Sequence, residues 1–590
     1  MRSASQLAVY ETYEESCGRK STLDELKAEI AEFTQQSMLW MCATIMAGMQ
    51  LWDKVDNQPA QAFETLVRLY FDPPLRGRLL AGHFSANPRR VLFHRRQILL
   101  IAKLAIKNGN GGKRDVNRHA EKMGSILLKA NDQLAHGLLN NLPQQGHFPN
   151  TREELSKVVV EMLATGEDGP PNIQQMMTRN HLMMTRFVGE LRGHSDWIDI
   201  DGEYKQATGL TLEEREAMVF GVHSRFGPEL SKTLYREPGA LPLKEGDFSA
   251  TAVESAKVSM FLDSVAGTPH TMAMELQTKD NGANDIDIFR KYPLVKQFYN
   301  IQLSSAWVGF LMMNTGFLLE KALTGPYWHA VKQRGQAIHR FWGAVFESYV
   351  QELMIRGTDG TQNRYIPDPR QADDLSVQLC DGIVIAGDSL VLLEYKGTVF
   401  RADTKYGGDY VAMADEIEKK LVRDHQSKKK KGVEQLAFAV KTLFGPKGNE
   451  LFPDIETGKV KRVYLYMVTL DSVGGTIGMS ALLNTFLDQM LDRSAYPMVE
   501  IRPLFCSEVE ALEDLTMLFS KRSLPDILER WFRSNPQLIM SLQAVDFGKT
   551  GWKENAWLRE EWINLYRGVV KILFPNENPE KIAAMEEDGD

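Results

Sequence analysis

The segment at residues 379–397 constrains the fold more than any other part of the chain. Its sequence, LCDGIVIAGDSLVLLEYKG, holds two short apolar runs separated by Gly387-Asp388, a pair typical of a β-hairpin turn. Side chains alternate faces along a strand, so Glu394 and Lys396 share one face, and hairpin pairing can bring Asp381 close to Glu394. Two carboxylates so placed can hold a hard divalent cation, typically Mg²⁺, through oxygen ligands.

The spacing of these residues resembles a known family. The pattern Asp381-x12-Glu394-x-Lys396, followed by Gly397, resembles the metal-dependent nucleases of the PD-(D/E)xK superfamily, which share the restriction-endonuclease-like fold. The resemblance implies that Asp381 and Glu394 ligate Mg²⁺, with Mn²⁺ as a substitute, and that Lys396 positions or activates the attacking water. Cys380 stands at the place of the Pro in the superfamily's name, a position that varies among its members.

The segment before the hairpin, HRFWGAVFESYVQELM at residues 339–354, has the period of an amphipathic helix. Its apolar stripe consists of Trp342, Phe346, Tyr349 and Leu353. Glu347 lies just off this stripe, and the missing side chain of Gly343 would leave room beside its carboxylate. The resemblance implies that this helix supplies an additional acid, so Glu347 is a candidate catalytic residue and metal ligand. An exposed helix carboxylate is the alternative.

A second helix follows the hairpin, in the segment KKKKGVEQLAFAVKTLF. Gln435 lies near its start, where related nucleases often carry a glutamine that faces the site, so Gln435 is a candidate catalytic residue. The basic run before it consists of Lys428, Lys429, Lys430 and Lys431. Four lysines beside a helix N-terminus suit a nucleic-acid phosphate, and a solvated loop explains them equally well.

The loop that leads into the hairpin is also acidic. It contains Asp368, Asp373 and Asp374, and it ends near Asp381. Exposed turn carboxylates are the default interpretation, and a role in shaping the substrate entrance is the alternative.

Hydrolysis of a phosphodiester needs a nucleophilic water and stabilisation of developing negative charge, both of which a carboxylate-held metal can supply. Lys396 beside such a metal would hydrogen-bond the water, and the metal charge and partial burial would lower the pKa of Lys396. The expected enzyme is a Mg²⁺-dependent phosphodiesterase, an endo- or exodeoxyribonuclease. An RNase on the same fold is one alternative. A non-catalytic nucleic-acid-binding assembly factor is the other.

Composition limits the partners and the compartment. The 590 residues carry a net charge of −8, so any contact with nucleic acid must come from a local patch. Four cysteines without CxxC spacing argue for a reducing cytoplasm. The chain starts without the apolar core of a signal peptide, and its longest apolar stretches are too short to span a bilayer. We therefore expect a cytoplasmic protein that does not bind a membrane. The resemblance to the nucleases implies nucleic acid as the partner, DNA in preference to RNA.

The pattern of elements divides the chain into four parts. Residues 1–165 form an N-terminal helical domain, residues 166–330 a second helical region that opens after the linker GEDGPPN, and residues 526–590 a helical tail. Between them, residues 331–525 have the order of an α/β nuclease-like domain, a mixed sheet flanked by helices. Thr211-x-x-Glu214 and Ser507-x-x-Glu510 each predict a capped helix start.

A nuclease domain joined to a large mainly α-helical region is an architecture associated with bacterial antiviral defence or repair, an argument by analogy alone. The helical half would then sense, bind a protein activator or regulate the nuclease.

Overall fold

The computed structural model describes most of the chain. Residues 1–8, 53–58, 81–89, 110, 142–148, 166–171, 227–240, 281, 302–304, 408, 424–429, 542–554 and 578–590 are not described. Most of the predicted linker, as well as Lys428 and Lys429, therefore lies outside the described residues.

Helices dominate the chain up to Arg225, as predicted. They span Tyr13–Cys17, Leu23–Ala31, Gln35–Trp52, Pro59–Tyr70, Pro73–Arg78, Arg95–Asn108, Met123–Asn141, Arg152–Thr165, Ile173–His181, Val188–Glu190, Ile200–Thr208 and Leu212–Arg225. A short parallel pair, β1 (Val9–Tyr10) and β2 (Arg90–Val91), accompanies them. The predicted cap at Thr211 is confirmed, because Glu214 N donates to Thr211 Oγ1 at 3.1 Å and Thr211 N donates to Glu214 Oε2 at 3.0 Å.

The next part of the chain contains a sheet that the sequence pattern did not predict. Its helices span Ser255–Val265, Pro269–Thr278, Asp287–Lys291 and Thr315–Arg334. Three described strands, β3 (Ala266–Gly267), β4 (Leu294–Ile301) and β5 (Ser305–Met312), lie in the order β3-β4-β5. Neighbouring residues of β5 belong to different cores: Phe310 packs into one and Leu311 into another. With both faces buried the apolar run does not alternate, and such a run cannot be told from a buried helix.

A mixed sheet occupies the predicted α/β domain. Five of the described strands form it in the order β10-β9-β8-β7-β6. Their bounds are β6 Arg364–Pro367, β7 Gly382–Ala386, β8 Ser389–Lys396, β9 Arg462–Thr469 and β10 Glu500–Glu508. The hairpin β7-β8 is antiparallel with Gly382 opposite Leu393, while β8, β9 and β10 run parallel to one another. The mixed sheet and the hairpin at its centre are therefore confirmed.

Helices cover both faces of this sheet. Those of the α/β part and the tail span Gln336–Thr358, Ala402–Lys405, Tyr410–Ile417, Val433–Leu443, Gly448–Leu451, Met479–Met490, Val509–Thr516, Leu524–Ser534 and Ala556–Leu573. Val391 and Leu393 of β8 share a core with the helix Gln336–Thr358, whereas Leu390 and Leu392 share another with the helix Val433–Leu443. The hairpin that carries the candidate site is thus held from both sides.

The predicted helix cap at Ser507 is wrong. The helix begins at Val509, its N-cap is Glu508, and no side chain caps it. Ser507 is instead a buried residue of β10, and its Oγ lies 2.8 Å from Tyr466 Oη. The strand continues through the position that the sequence pattern assigned to a helix N-cap.

The hydrophobic cores cross the predicted domain boundaries. One core contains Met177 from the second helical region, Val391 from the sheet and Trp562 from the tail. A separate core joins Val159, of the helix Arg152–Thr165, to the opposite face of the sheet. These cores therefore pack residues of all four predicted parts against the central sheet. Within the described residues, no helix combines the length and the apolar composition that crossing a membrane requires.

Candidate active site

Asp381 lies at the start of the hairpin, directly before β7. Its Oδ2 accepts a hydrogen bond from Tyr395 N at 2.5 Å, and its backbone N donates to Leu393 O at 3.1 Å. These bonds fix the carboxylate beside β8. Burial and the neighbouring Glu394 carboxylate raise the pKa of Asp381 well above its usual range. The hairpin therefore brings these two acids together although twelve residues separate them.

Glu394 is the most enclosed acid of the site, with 2% of its surface exposed. Its Oε1 accepts a hydrogen bond from Lys396 Nζ and a second from Gly432 N at 2.8 Å. Its Oε2 is buried, and no donor among the described residues reaches it. An unsatisfied buried carboxylate oxygen costs free energy, so a partner that is not part of the described chain is favoured at this position.

Lys396 follows Glu394 on the same face of β8, and its side chain is 15% exposed. Burial lowers the pKa of Lys396, but the charges of Glu394 and Asp381 act in the opposite direction and outweigh it. The pKa of the ammonium group is raised by the protein groups alone, the reverse of the lowering expected beside a metal. Lys396 thus provides a protonated donor within the acid cluster.

Glu347 approaches the site from the helix Gln336–Thr358. Gln351 Nε2 donates to Glu347 Oε1 at 3.1 Å, within the same helix. Burial and the charges of Asp368 and Glu394 raise the pKa of Glu347 to about 7. Glu347 therefore lies within electrostatic range of Asp368 and Glu394, and the one side-chain hydrogen bond that it makes among the described residues is to Gln351 of its own helix.

Gln435 supports the site from the helix Val433–Leu443. Its Nε2 donates to Gln378 O at 3.0 Å and to Leu379 O at 2.7 Å, so its amide holds the backbone that leads into Asp381. Gln378 Nε2 in turn donates to Asp381 Oδ1 at 3.2 Å. In this structure the Gln435 amide therefore contacts the backbone before Asp381.

The described lysines of the basic run differ in exposure. Lys430 is exposed, with Nζ 3.6 Å from the centre of the Phe438 ring, and Lys431 is half-buried. Both directly precede Gly432, whose N–H binds Glu394. The described end of the basic run is therefore followed at once by the residue that binds Glu394.

The sequence pattern did not single out one residue of the site, and it named a second only as a loop carboxylate near the substrate entrance. Gly432 supplies a backbone donor to Glu394. The sequence feature that could have indicated it is a glycine between a basic run and a helix. Asp368 N donates to Asp381 O at 3.1 Å, and Asp368 has a φ of 43°, a value that few residues other than glycine adopt. Asp368 was predicted to be an exposed turn carboxylate, with a role in shaping the substrate entrance as the alternative, and nothing in the sequence indicates its backbone contact with Asp381.

The donor set can be tested against a divalent cation. Asp381, Glu394 and Glu347 offer hard oxygen ligands against the single ammonium group of Lys396, and the buried Oε2 of Glu394 lacks a described partner. This excess of negative charge and the unsatisfied oxygen fit Mg²⁺ or Mn²⁺. Among the described residues, no group of three or more His, Cys, Asp and Glu side chains has the arrangement of a preformed metal site.

Known proteins provide no further assignment. Compared with protein-family models, curated proteins and solved structures, the chain matches none of them. The chemistry of the site itself carries the functional argument.

Proposed function

We propose that this protein is a metal-dependent nuclease whose active site comprises Asp381, Glu394, Lys396 and Glu347. The observation that carries the proposal is the Glu394 carboxylate, buried on the hairpin beside Asp381 with one oxygen that no described donor satisfies. A surface ion pair at a strand end, the plain alternative, would be solvated and would leave no such oxygen.

The residues divide the work by position. Asp381, Glu394 and Glu347 would hold the cation, which when bound supplies charge stabilisation and a lowered pKa for a coordinated water. Lys396 Nζ keeps its proton and donates a hydrogen bond, now to Glu394 and in the complex to the attacking water or a phosphate oxygen. Gln435 holds the Asp381 loop in place while substrate binds.

We propose DNA as the substrate in preference to RNA, in antiviral defence or repair in bacteria, with the helical half sensing a signal or a protein activator. The architecture of a nuclease-like sheet packed into a large helical body supports this part, as analogy. Packing of the helix Ile173–His181 onto the sheet core offers a physical route by which the helical part could influence the site.

The test is cleavage by the full chain and by isosteric variants. Plasmid, linear duplex, single-stranded DNA and RNA are incubated with Mg²⁺, Mn²⁺ or EDTA. Asp381→Asn, Glu394→Gln and Lys396→Met are expected to lower the metal-dependent rate at least about 100-fold, because each removes a charge from the reacting centre. Asp388→Asn is the matched control, since Asp388 is a partly exposed carboxylate in the turn of the same hairpin.

Metal binding is measured as well, because it does not require the activator that cleavage could require. Titration calorimetry with Mn²⁺ should detect binding to the wild-type protein and to Asp388→Asn, and a clear loss of affinity for Glu394→Gln. A Lys396→Met protein that cuts at the wild-type rate, or cleavage that persists in EDTA, would contradict the proposal. If the protein cleaves RNA and not DNA, the proposed substrate is wrong and the assignment of the active-site residues stands.

A further inference from the structure

The segment 368–370 runs along the edge of the candidate site. Leu379 N donates to Pro369 O at 2.9 Å, and Arg370 pairs with Gln378 in an isolated antiparallel bridge. Residues paired across antiparallel strands project their side chains to the same face. The Gln378 side chain reaches Asp381 Oδ1 at 3.2 Å, so the Arg370 side chain leaves the backbone on the face where the Asp381 carboxylate lies.

The guanidinium of Arg370 is held on one side and open on the other. Its Nε donates to Asp368 Oδ2 at 2.7 Å, and its Nη1 donates to Leu375 O at 2.9 Å. Nη2 has no partner among the described residues, and 41% of the side chain is exposed. The fork is therefore oriented in advance and keeps N–H groups available to a ligand.

The charge balance of the site calls for such a group. Arg370 pairs with Asp368, whose backbone N donates to Asp381 O at 3.1 Å. It also lies opposite Gln378, which contacts the Asp381 carboxylate, so the guanidinium is held at the edge of the acidic site. A site lined with carboxylates repels a polyanionic strand, and a cation at its edge offsets that repulsion. Arginine suits the task because its planar fork matches phosphate geometry.

We infer that Arg370, oriented by Asp368, binds a phosphate oxygen of the substrate strand at the edge of the active site, an inference that rests on the proposed nuclease function. The alternative is that Arg370 forms a surface ion pair with Asp368 and makes no contact with a substrate. The two differ in one respect: only a substrate contact makes nucleic-acid affinity and its salt dependence sensitive to Arg370.

The experiment compares Arg370→Gln and Arg370→Lys with the wild-type full chain. Binding of short fluorescein-labelled duplex and single-stranded DNA is followed by anisotropy in Ca²⁺, at several salt concentrations. Arg370→Gln should weaken binding about tenfold and reduce the salt slope by about one ion, the contribution of one lost phosphate contact. Arg370→Lys should recover part of the affinity, because it keeps the charge and loses the fork.

Arg533→Gln is the matched control. Arg533 is 77% exposed and pairs with Glu529 within the helix Leu524–Ser534, so its loss should leave both affinity and salt slope unchanged. In cleavage assays Arg370→Gln should raise KM more than it lowers kcat, since the contact is to a phosphate at the edge of the site.

The outcomes separate this inference from the proposed function. Wild-type affinity and salt slope in Arg370→Gln would overturn the inference, whether or not the protein cuts. A wild-type protein that binds DNA but neither cuts it nor binds Mn²⁺ would overturn the nuclease proposal, and the anisotropy would still decide the role of Arg370. Absence of any nucleic-acid binding by the wild type would overturn both.

Discussion

Gly432 shows how much of the site depends on a residue without a side chain. Its φ of 62° and ψ of −131° belong to a region that is essentially restricted to glycine, and an added Cβ would lie 1.8 Å from Leu421 O. In this conformation its N–H points at Glu394 Oε1, 2.8 Å away. The orientation of a metal-binding candidate therefore rests on the backbone of a neighbouring loop, where a charge-assisted hydrogen bond is strong.

We expect Gly432→Ala to destabilise the protein by more than the backbone conformation alone costs, which is about 1–3 kcal/mol. The overlap with Leu421 must also move the loop, so Glu394 loses its donor and metal-dependent cleavage falls with stability. Gly335→Ala separates the two effects, because Gly335 has nearly the same dihedral angles, φ 57° and ψ −126°, with open space around its Cβ position.

Urea unfolding measures the stability of the two variants, and cleavage rates measure the effect on the site. Equal losses of stability in the two variants, with normal cleavage in Gly432→Ala, would show that the contact with Glu394 is unimportant.

The end of β8 meets the helix Gln336–Thr358 at another glycine contact. A Cβ added to Gly397 would lie 2.7 Å from Phe346 Cβ and 3.2 Å from Gly343 Cα, whereas a Cβ on Gly343 would meet nothing within 4 Å. Gly343 was predicted to leave room beside Glu347. In the structure the close approach is by the backbone of Gly397, one residue after Lys396. The backbone at the end of β8 thus packs directly against the Phe346 side chain of the Glu347 helix.

We expect Gly397→Ala to cost about 1–3 kcal/mol, because overpacking forces the strand end away from the helix, and to lower cleavage by displacing Lys396. Gly343→Ala is the paired variant. It should be neutral or stabilising by up to about 1 kcal/mol, since alanine is the better helix former and its Cβ meets open space. Thermal unfolding of both proteins checks this, and a Gly343→Ala variant that is the less stable of the two would refute the packing argument.

The molecule as a whole is tied together by a buried ionic network. Arg179, from the second helical region, contacts Glu513 at 3.0 Å and also pairs with Glu510, both on the helix Val509–Thr516. Tyr349 Oη donates to the same Glu513 at 2.5 Å from the helix that carries Glu347. Burial lowers the pKa of Arg179, but the charges of Glu510 and Glu513 outweigh it and raise that pKa, while burial raises the pKa of Glu513 although Arg179 opposes this. The network joins the helical part to the candidate nuclease part.

We expect Arg179→Met to reduce the free energy of unfolding by about 3–5 kcal/mol, because it leaves the fully buried Glu513 carboxylate without its counter-charge. Lys459→Met is the control, since Lys459 is 78% exposed and pairs with Glu456 at the surface. Urea unfolding should also give one transition for the shared core. Two separate transitions in the wild type, with Arg179→Met affecting only one, would show that the helical and α/β parts fold independently.

Local patterns predicted much of the fold. Strict helical spacing from Trp342 to Leu353 and a turn pair between two apolar runs were enough for the Glu347 helix and the β7-β8 hairpin, because both signals lie within a few residues along the chain. The β4-β5 hairpin was missed because its faces enter different cores, and the Ser507 cap was wrong because the strand is buried to its end. Neither cause is visible in local sequence.

The sequence by itself determined which acids and which lysine share the hairpin, since the two-residue period of a strand places Glu394 and Lys396 on one face whatever surrounds them. Only the tertiary structure decided what those groups touch. The Gly432 donor comes from a segment distant in sequence. The contacts of Asp368 with Asp381 and with Arg370 accompany a backbone angle of Asp368 that no local pattern encodes. The burial and the electrostatics of the site depend on those contacts. Electrostatic energies are set by the distance between charged groups and by their exclusion from water. Neither the distance nor the exclusion from water follows from the position of a residue in the chain.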